Sequence, residues 1–190
     1  MNSIQNKSPR IIAMVGMAGA GKTEASRLFE QSGYTRVRFG DVTDDEVKRR
    51  GLPLNEANER TVREALRVEL GMAAYAKLNL PRIDAALKNG PAVIDGLYSW
   101  EEYIFLKDYY KDDLAVAAVW ASPATRARRL STRSVRPLTR EETFSRDRAE
   151  VEKVSKAGPI AVADYMILNE GGFDELTAQV RALIDNLKAE

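Results

Sequence analysis

The chain is 190 residues long, carries 29 basic and 28 acidic residues for a formal net charge of +1, and contains neither cysteine nor histidine. That length suits one ordinary domain, and the charge balance argues against a general nucleic-acid or membrane-surface binder. Without thiols or imidazoles, disulfide frameworks, zinc fingers, thiol catalysis and the commonest general base are excluded, so chemistry must rest on carboxylates, Lys, Arg, hydroxyls, backbone amides and a hard cation.

Residues 1–8 are polar and read as a loose N-terminal tail, with residues 9–190 as a single domain. No apolar run approaches membrane-spanning length, so the expectation is a soluble cytoplasmic protein. Arg10–Val15 is an apolar run suited to a buried parallel strand. It leads into Gly16-Met17-Ala18-Gly19-Ala20-Gly21-Lys22-Thr23, which fits G-x-x-x-x-G-K-[ST]. In that pattern glycines let backbone N–H groups wrap a phosphate chain, the lysine adds charge at the β/γ-phosphates, and the threonine hydroxyl ligates Mg²⁺. A helix beginning near Lys22 would add its positive end to the same anion site.

Tyr34–Phe39 alternates as a short second strand, punctuated by Gly40-Asp41. Thr43 to about Asn89 is helical, with breaks predicted at Gly51-Leu52-Pro53 and Asn79-Leu80-Pro81. Within it, Arg60, Arg63 and Arg67 recur on one stripe; ordinary exposed helices look similar, but Arg63 and Arg67 are candidates for an anionic acceptor. Ala92–Gly96 reads as a buried strand ending in Asp95, Glu101–Tyr110 as a helix and Leu114–Trp120 as a strand. Pro123–Leu130 is helical, Ser131–Thr139 loop-like and Arg140–Lys156 helical again. Ala163–Leu168 forms the last strand, followed by a 169–172 turn and a closing helix. Strands alternating with helices predict a three-layer α/β/α fold on a five-stranded parallel sheet, with ligands at the strands' carboxyl ends. The P-loop, Asp41, Asp95 and the 169–172 turn all fall there.

Residues 121–150 hold eight arginines (126, 128, 129, 133, 136, 140, 146 and 148), four acids and no lysine. Arginine without lysine suits bidentate gripping of phosphate oxygens. Together with Ser131, Thr132, Ser134 and Pro137, it suggests a lid, over about 131–148, that closes on a triphosphate. Arg128, Arg140 and Arg148 fit a solvated helix face instead.

These motifs resemble the nucleoside-monophosphate-kinase-like branch of P-loop kinases, in particular the dephospho-coenzyme A kinase and adenylate kinase families and an archaeal kinase-like group related to both. The likeness spans roughly residues 10–188. Gly40-Asp41-Val42 resembles the G-D-[MV] that opens the acceptor-binding helices (here about 41–89), and Val93-Ile94-Asp95-Gly96 the strand-end I-D-G. Arg129-Leu130-Ser131-Thr132-Arg133 resembles the lid-entry R-L-x-x-R, Arg146-Asp147 the lid-exit R-D, and Ala163–Gly171 the A-D-x-x-[IL]-x-N-x-G that lines the donor adenine. Asp44 and Tyr98 depart from the kinase-like group, which often carries Arg at both positions.

The resemblance implies ATP and Mg²⁺ as cofactors and a nucleotide-like small-molecule acceptor, either a nucleoside monophosphate or dephospho-coenzyme A. The implied nucleotide contacts are residues 16–23 (Gly16, Met17, Ala18, Gly19, Ala20, Gly21, Lys22 and Thr23) with Glu24, Arg129, Asn169 and Gly171. Thr23 and Asp95 serve the metal; Asp41, Arg63, Arg67, Asp95 and Tyr98 face the acceptor. Lys22, Asp41, Arg129, Arg133 and Arg146 are the implied catalytic set. Nucleic-acid and membrane partners are not expected, and either a monomer or a homodimer is compatible. A nucleotide-binding switch that hydrolyses slowly is the alternative reading.

Overall fold

The computed structural model describes residues 8–134 and 137–189. Most of the predicted tail, and Val135 and Arg136 within the predicted lid, lie outside the described residues.

Ile11–Val15 (β1) is fully buried along its whole length, as expected of a strand covered on both faces. Around it stand Thr35–Arg38 (β2), Ala92–Asp95 (β3), Leu114–Trp120 (β4) and Tyr165–Leu168 (β5). They form one five-stranded sheet in the order β2-β3-β1-β4-β5, with every pair parallel. Because side chains alternate between faces, β1 sends Ile11, Ala13 and Val15 into one core and Ile12 and Met14 into another.

The second core is covered by Lys22–Gln31 (α1) and Phe173–Ala189 (α9). Helix α9 places Leu176, Val180, Leu183, Ile184 and Leu187 on one stripe, the 3.6-residue period read as a buried face. The first core is covered by Asp41–Arg49 (α2), Glu56–Leu70 (α3), Ala74–Leu87 (α4) and Trp100–Tyr110 (α5). These layers make the three-layer α/β/α fold.

Two local expectations are corrected. Helix α4 runs straight through Pro81, although proline there removes the hydrogen bond to the Lys77 carbonyl. Burial of Tyr75, Ala76, Ile83 and Ala86 outweighs that loss, and the buried Asn79 amide donates to Tyr75 O at 2.9 Å within the same helix. The break falls instead at Gly71, whose φ of 80° closes α3. Pro123–Thr132 (α6) is followed by Arg140–Glu152 (α7), which stops short of Lys156; Ala157–Ala161 (α8) is a separate short turn of helix. Ser155, between them, adopts a left-handed φ of 52°.

Strand β1 sits at the point where the chain changes direction across the sheet: β3 lies on one side of it and β4 on the other. The crevice at its carboxyl end is where such sheets bind ligands.

Candidate active site

The loop leaving β1 turns tightly over the sheet. At Gly16, φ is 143° and an added Cβ would run into the carbonyl of Val119 on β4. At Gly21, φ is 106° and a Cβ would strike the Asn169 amide. Neither position has room for a side chain, so the glycines of the motif are explained by packing as well as by backbone conformation. Gly21 precedes α1 and supplies no side-chain cap, which leaves the first N–H groups of that helix available to an anion.

Lys22 folds back over this loop, its Nζ donating to Gly16 O at 2.8 Å and Met17 O at 3.1 Å. Its pKa is pushed down to about 7, first by burial, then by the Lys156 ammonium, against the opposing pull of Glu150 and Asp95. The next residue, Thr23, donates its hydroxyl to Asp95 Oδ1 at 3.3 Å. Asp95 ends β3 and is only 6 % exposed. Its other oxygen accepts two bonds from Arg36, at 2.5 Å from Nη2 and 3.2 Å from Nε. Arg36 was not among the residues singled out in the sequence. The parallel register pairs Arg36 with Val93, so Asp95 lies two residues further along the same face.

On the other flank, the turn after β5 closes on the loop. Asn169 Nδ2 donates to Ala20 O at 2.8 Å, and Arg129 Nη2 donates to Asn169 Oδ1 at 3.3 Å and to Gly171 O at 3.1 Å. Arg129 Nη1 is buried without a hydrogen-bond partner. The implied nucleotide contacts Ala20, Arg129, Asn169 and Gly171 therefore converge, although 149 residues separate the first bonded pair. Glu170 fixes the start of α6 by accepting from the Ser122 N–H and from Thr125 Oγ1 at 2.6 Å, bonds that hold its carboxyl below the usual range.

Arg126, also not singled out from sequence, is the most deeply set of the described arginines of the basic stretch, at 4 % exposure. It donates to Ala18 O at 3.2 Å and makes a two-pronged ion pair with Asp147 at 2.7 Å on each arm. This joins the phosphate loop directly to α7. Arg146 pairs with Glu150 at 3.2 Å, and Arg133 follows α6 directly. Arg148 pairs with Glu152 at the surface, in line with a solvated face.

The acceptor candidates are more dispersed. Asp41, at the start of α2, pairs with Arg38 at 2.9 Å, and Arg38 reaches Asp44 at 3.4 Å. Arg63 pairs with Glu59 at 3.5 Å, whereas Arg60 and Glu64 form an exposed pair. Glu24 pairs at the surface with Arg27. Arg67 instead lies over the Tyr75 ring at 5.3 Å, with its Nε buried and unbonded. Tyr98 meets Tyr75 edge-on at 6.2 Å, and carries Lys156 over its face at 5.3 Å. Lys156 (3 % exposed) and Glu102 (fully buried) complete this side and were not predicted. A buried carboxylate at the start of a helix with no clear apolar stripe and a lysine beyond an irregular turn leave no periodic trace.

Among the described residues no cluster of three or more acidic side chains forms a metal cage, and no helix is long and apolar enough to cross a membrane. The Thr23 hydroxyl and Asp95 carboxylate are hard oxygen donors next to the glycine-rich loop, which fits the partial, water-rich coordination that Mg²⁺ prefers.

Residues 12–152 match the family model described as an AAA domain. A UPF0200 protein of Thermococcus kodakarensis is 36 % identical over 181 residues, spanning 93 % of this chain and 97 % of its own. The fold is shared with a shikimate kinase from Bacteroides thetaiotaomicron (TM-score 0.59, 14 % identity, 92 % of this chain and 98 % of that one). It is also shared with a gluconokinase from Sinorhizobium meliloti (TM-score 0.55, 17 % identity, 96 % and 97 %). The chain therefore belongs to the UPF0200 family and, across residues 12–152, to the AAA domain family.

Proposed function

We propose that this protein is an ATP- and Mg²⁺-dependent kinase that moves the γ-phosphoryl group of ATP to a nucleotide-like small molecule, a nucleoside monophosphate or dephospho-coenzyme A. The observation that carries the reading is the joining of Lys22, Thr23 and Asp95 at one end of the phosphate loop with Arg129 and Asn169 at the other. That the chain shares its fold with small-molecule kinases supports it.

In this reading, backbone amides of residues 17–23 and the Lys22 ammonium hold the β- and γ-phosphates. Lys22 leaves the carbonyls of Gly16 and Met17 for the phosphates, a short swing for a flexible stem. Thr23 and Asp95 would hold Mg²⁺, which when bound neutralises charge on the phosphate oxygens. Arg36 fixes the Asp95 carboxylate from behind. Arg129, Arg133 and Arg146 stabilise the charge that spreads over the transferred group. Arg126 holds α7 against the loop, so that lid and phosphate site move as one unit. Asp41 orients or deprotonates the acceptor if that is a hydroxyl; a phosphate acceptor is already a nucleophile at neutral pH.

The test is a phosphoryl-transfer screen with ADP detection. The panel holds AMP, GMP, CMP, UMP, dTMP, dephospho-coenzyme A, shikimate and gluconate, beside an acceptor-free blank and a Lys22→Met control. One acceptor raising ADP well above the blank, with loss of several orders of magnitude in Lys22→Met, supports the kinase. A slow blank unchanged by every acceptor and abolished in Lys22→Met would favour a regulatory ATPase switch.

A further inference from the structure

Lys156 is placed by an unusual piece of backbone. Ser155 takes a left-handed φ of 52°, a conformation that costs a non-glycine residue energy and that persists only where surrounding contacts impose it. The consequence is that Lys156 turns inward: its N–H donates to Glu150 O at 3.1 Å, and its side chain is almost wholly buried. The following residues lock it there, because Gly158 lies so close against the Trp100 ring that a Cβ would overlap it.

The ammonium so delivered pairs with Glu150 at 2.8 Å and rests on the Tyr98 ring at 5.3 Å. The hydroxyl end of that ring packs against Gly96, the residue after Asp95. Lys156 thus stands one aromatic ring away from the end of β3. Beyond Tyr98 the arrangement repeats in mirror order, with Tyr75 meeting it edge-on and carrying Arg67 on its own face at 5.3 Å. Each tyrosine of the pair therefore carries a cation on its face.

Two buried polar atoms here lack a partner: Nε of Arg67 and Oε1 of Glu102, whose other oxygen accepts from the Tyr98 N–H at 2.8 Å. A buried donor and a buried acceptor left unpaired are each costly to a fold, and both Arg67 and Lys156 lie near enough to Glu102 for their charges to act on its carboxyl. A small molecule offering an anionic oxygen and a hydroxyl or amino hydrogen satisfies both unpaired atoms. A buried lysine–glutamate pair is itself a poor source of stability, since desolvating both ions offsets their attraction. Structural packing alone would be served better by apolar residues.

We propose that Lys156 and Arg67 bind the anionic group, phosphate or carboxylate, of the molecule that receives the phosphoryl group, with Glu102 accepting a hydrogen bond from the same molecule. This rests on the kinase reading and narrows its acceptor to an anion that also carries a hydrogen-bond donor. The raised pKa of Glu102, at about 7 because of its burial, matches a carboxyl that lacks a ligand donor.

The test is equilibrium binding by calorimetry on the full chain, with and without saturating Mg²⁺ and the non-hydrolysable ATP analogue AMPPNP. The probes are AMP, inorganic phosphate and shikimate, which separate a phosphate ester, a bare phosphate and a hydroxylated carboxylate. In Lys156→Met the affinity of the anion that binds the wild type falls at least tenfold, Lys156→Arg restores most of it, and AMPPNP affinity stays within twofold. The double variant Lys156→Met/Glu150→Gln avoids an uncompensated buried carboxylate and should show the same loss if the single variant folds poorly. Unchanged anion affinity in the methionine variants, or no probe binding to the wild type, overturns the proposal. Failure of AMPPNP alone to bind overturns the kinase reading instead, and is seen in a separate titration.

Discussion

Lys22 offers a direct test of the phosphate site through its proton. Burial and the Lys156 and Arg146 cations lower its pKa to about 7, so in the ligand-free protein the ammonium is about half protonated at pH 7 and about one-tenth protonated at pH 8. Phosphates beside Nζ favour the charged form and return the pKa towards the ordinary lysine range. Nucleotide binding should therefore take up about 0.5 proton at pH 7 and about 0.9 at pH 8. By the same linkage, affinity should fall about tenfold per pH unit above pH 8, until the bound-state pKa is reached. The assay is calorimetric titration with Mg²⁺-saturated AMPPNP in two buffers of different ionisation enthalpy, from pH 6.5 to 9. Lys22→Arg is the control, because guanidinium stays charged throughout and contributes no uptake. Equal proton uptake in wild type and Lys22→Arg, or uptake that shrinks as pH rises from 7 to 8, would refute the placement of Nζ at the phosphates.

Two further perturbations probe the packing behind the site. Arg126→Leu should destabilise the protein by about 2–4 kcal/mol in urea unfolding, the low side of the range for breaking a buried pair because Asp147 keeps 17 % of its side chain exposed; Arg126→Leu/Asp147→Leu should recover much of the loss, and a double variant as unstable as the single would refute the ion-pair account. Glu102 holds its proton more tightly when folded than when unfolded, so stability should fall as pH rises from about 4.5 towards 7, and Glu102→Gln should remove that slope and stabilise the protein at pH 8 by up to about 3 kcal/mol, measured by unfolding at pH 5, 6.5 and 8. A wild type whose stability climbs across that interval, relative to the variant, would contradict the buried carboxyl.

Much of the frame was legible in the chain because its signals are local. The run Ile11–Val15 has no polar residue, and such a strand is stable only between two covering layers. The apolar stripe of α9 repeats at helical period, and Asp95 closes a buried strand. Pro81 misled because propensity is a weak term beside the burial of α4 on the sheet, and Gly71 went unremarked because a single glycine carries little positional information.

The same contrast holds within the site. The eight residues from Gly16 to Thr23 carry the phosphate-loop pattern by themselves, since a run of consecutive backbone N–H groups turned to one side needs glycine where the turn requires it. What each charged group then meets was decided by the tertiary structure. Strand register set Arg36 against Asp95 across 59 residues, β5 brought Asn169 to Ala20 across 149, and a left-handed Ser155 turned Lys156 inward. Desolvation, which lowers Lys22 and raises Glu102, is a property of the packed surroundings, and no spacing along the chain encodes it.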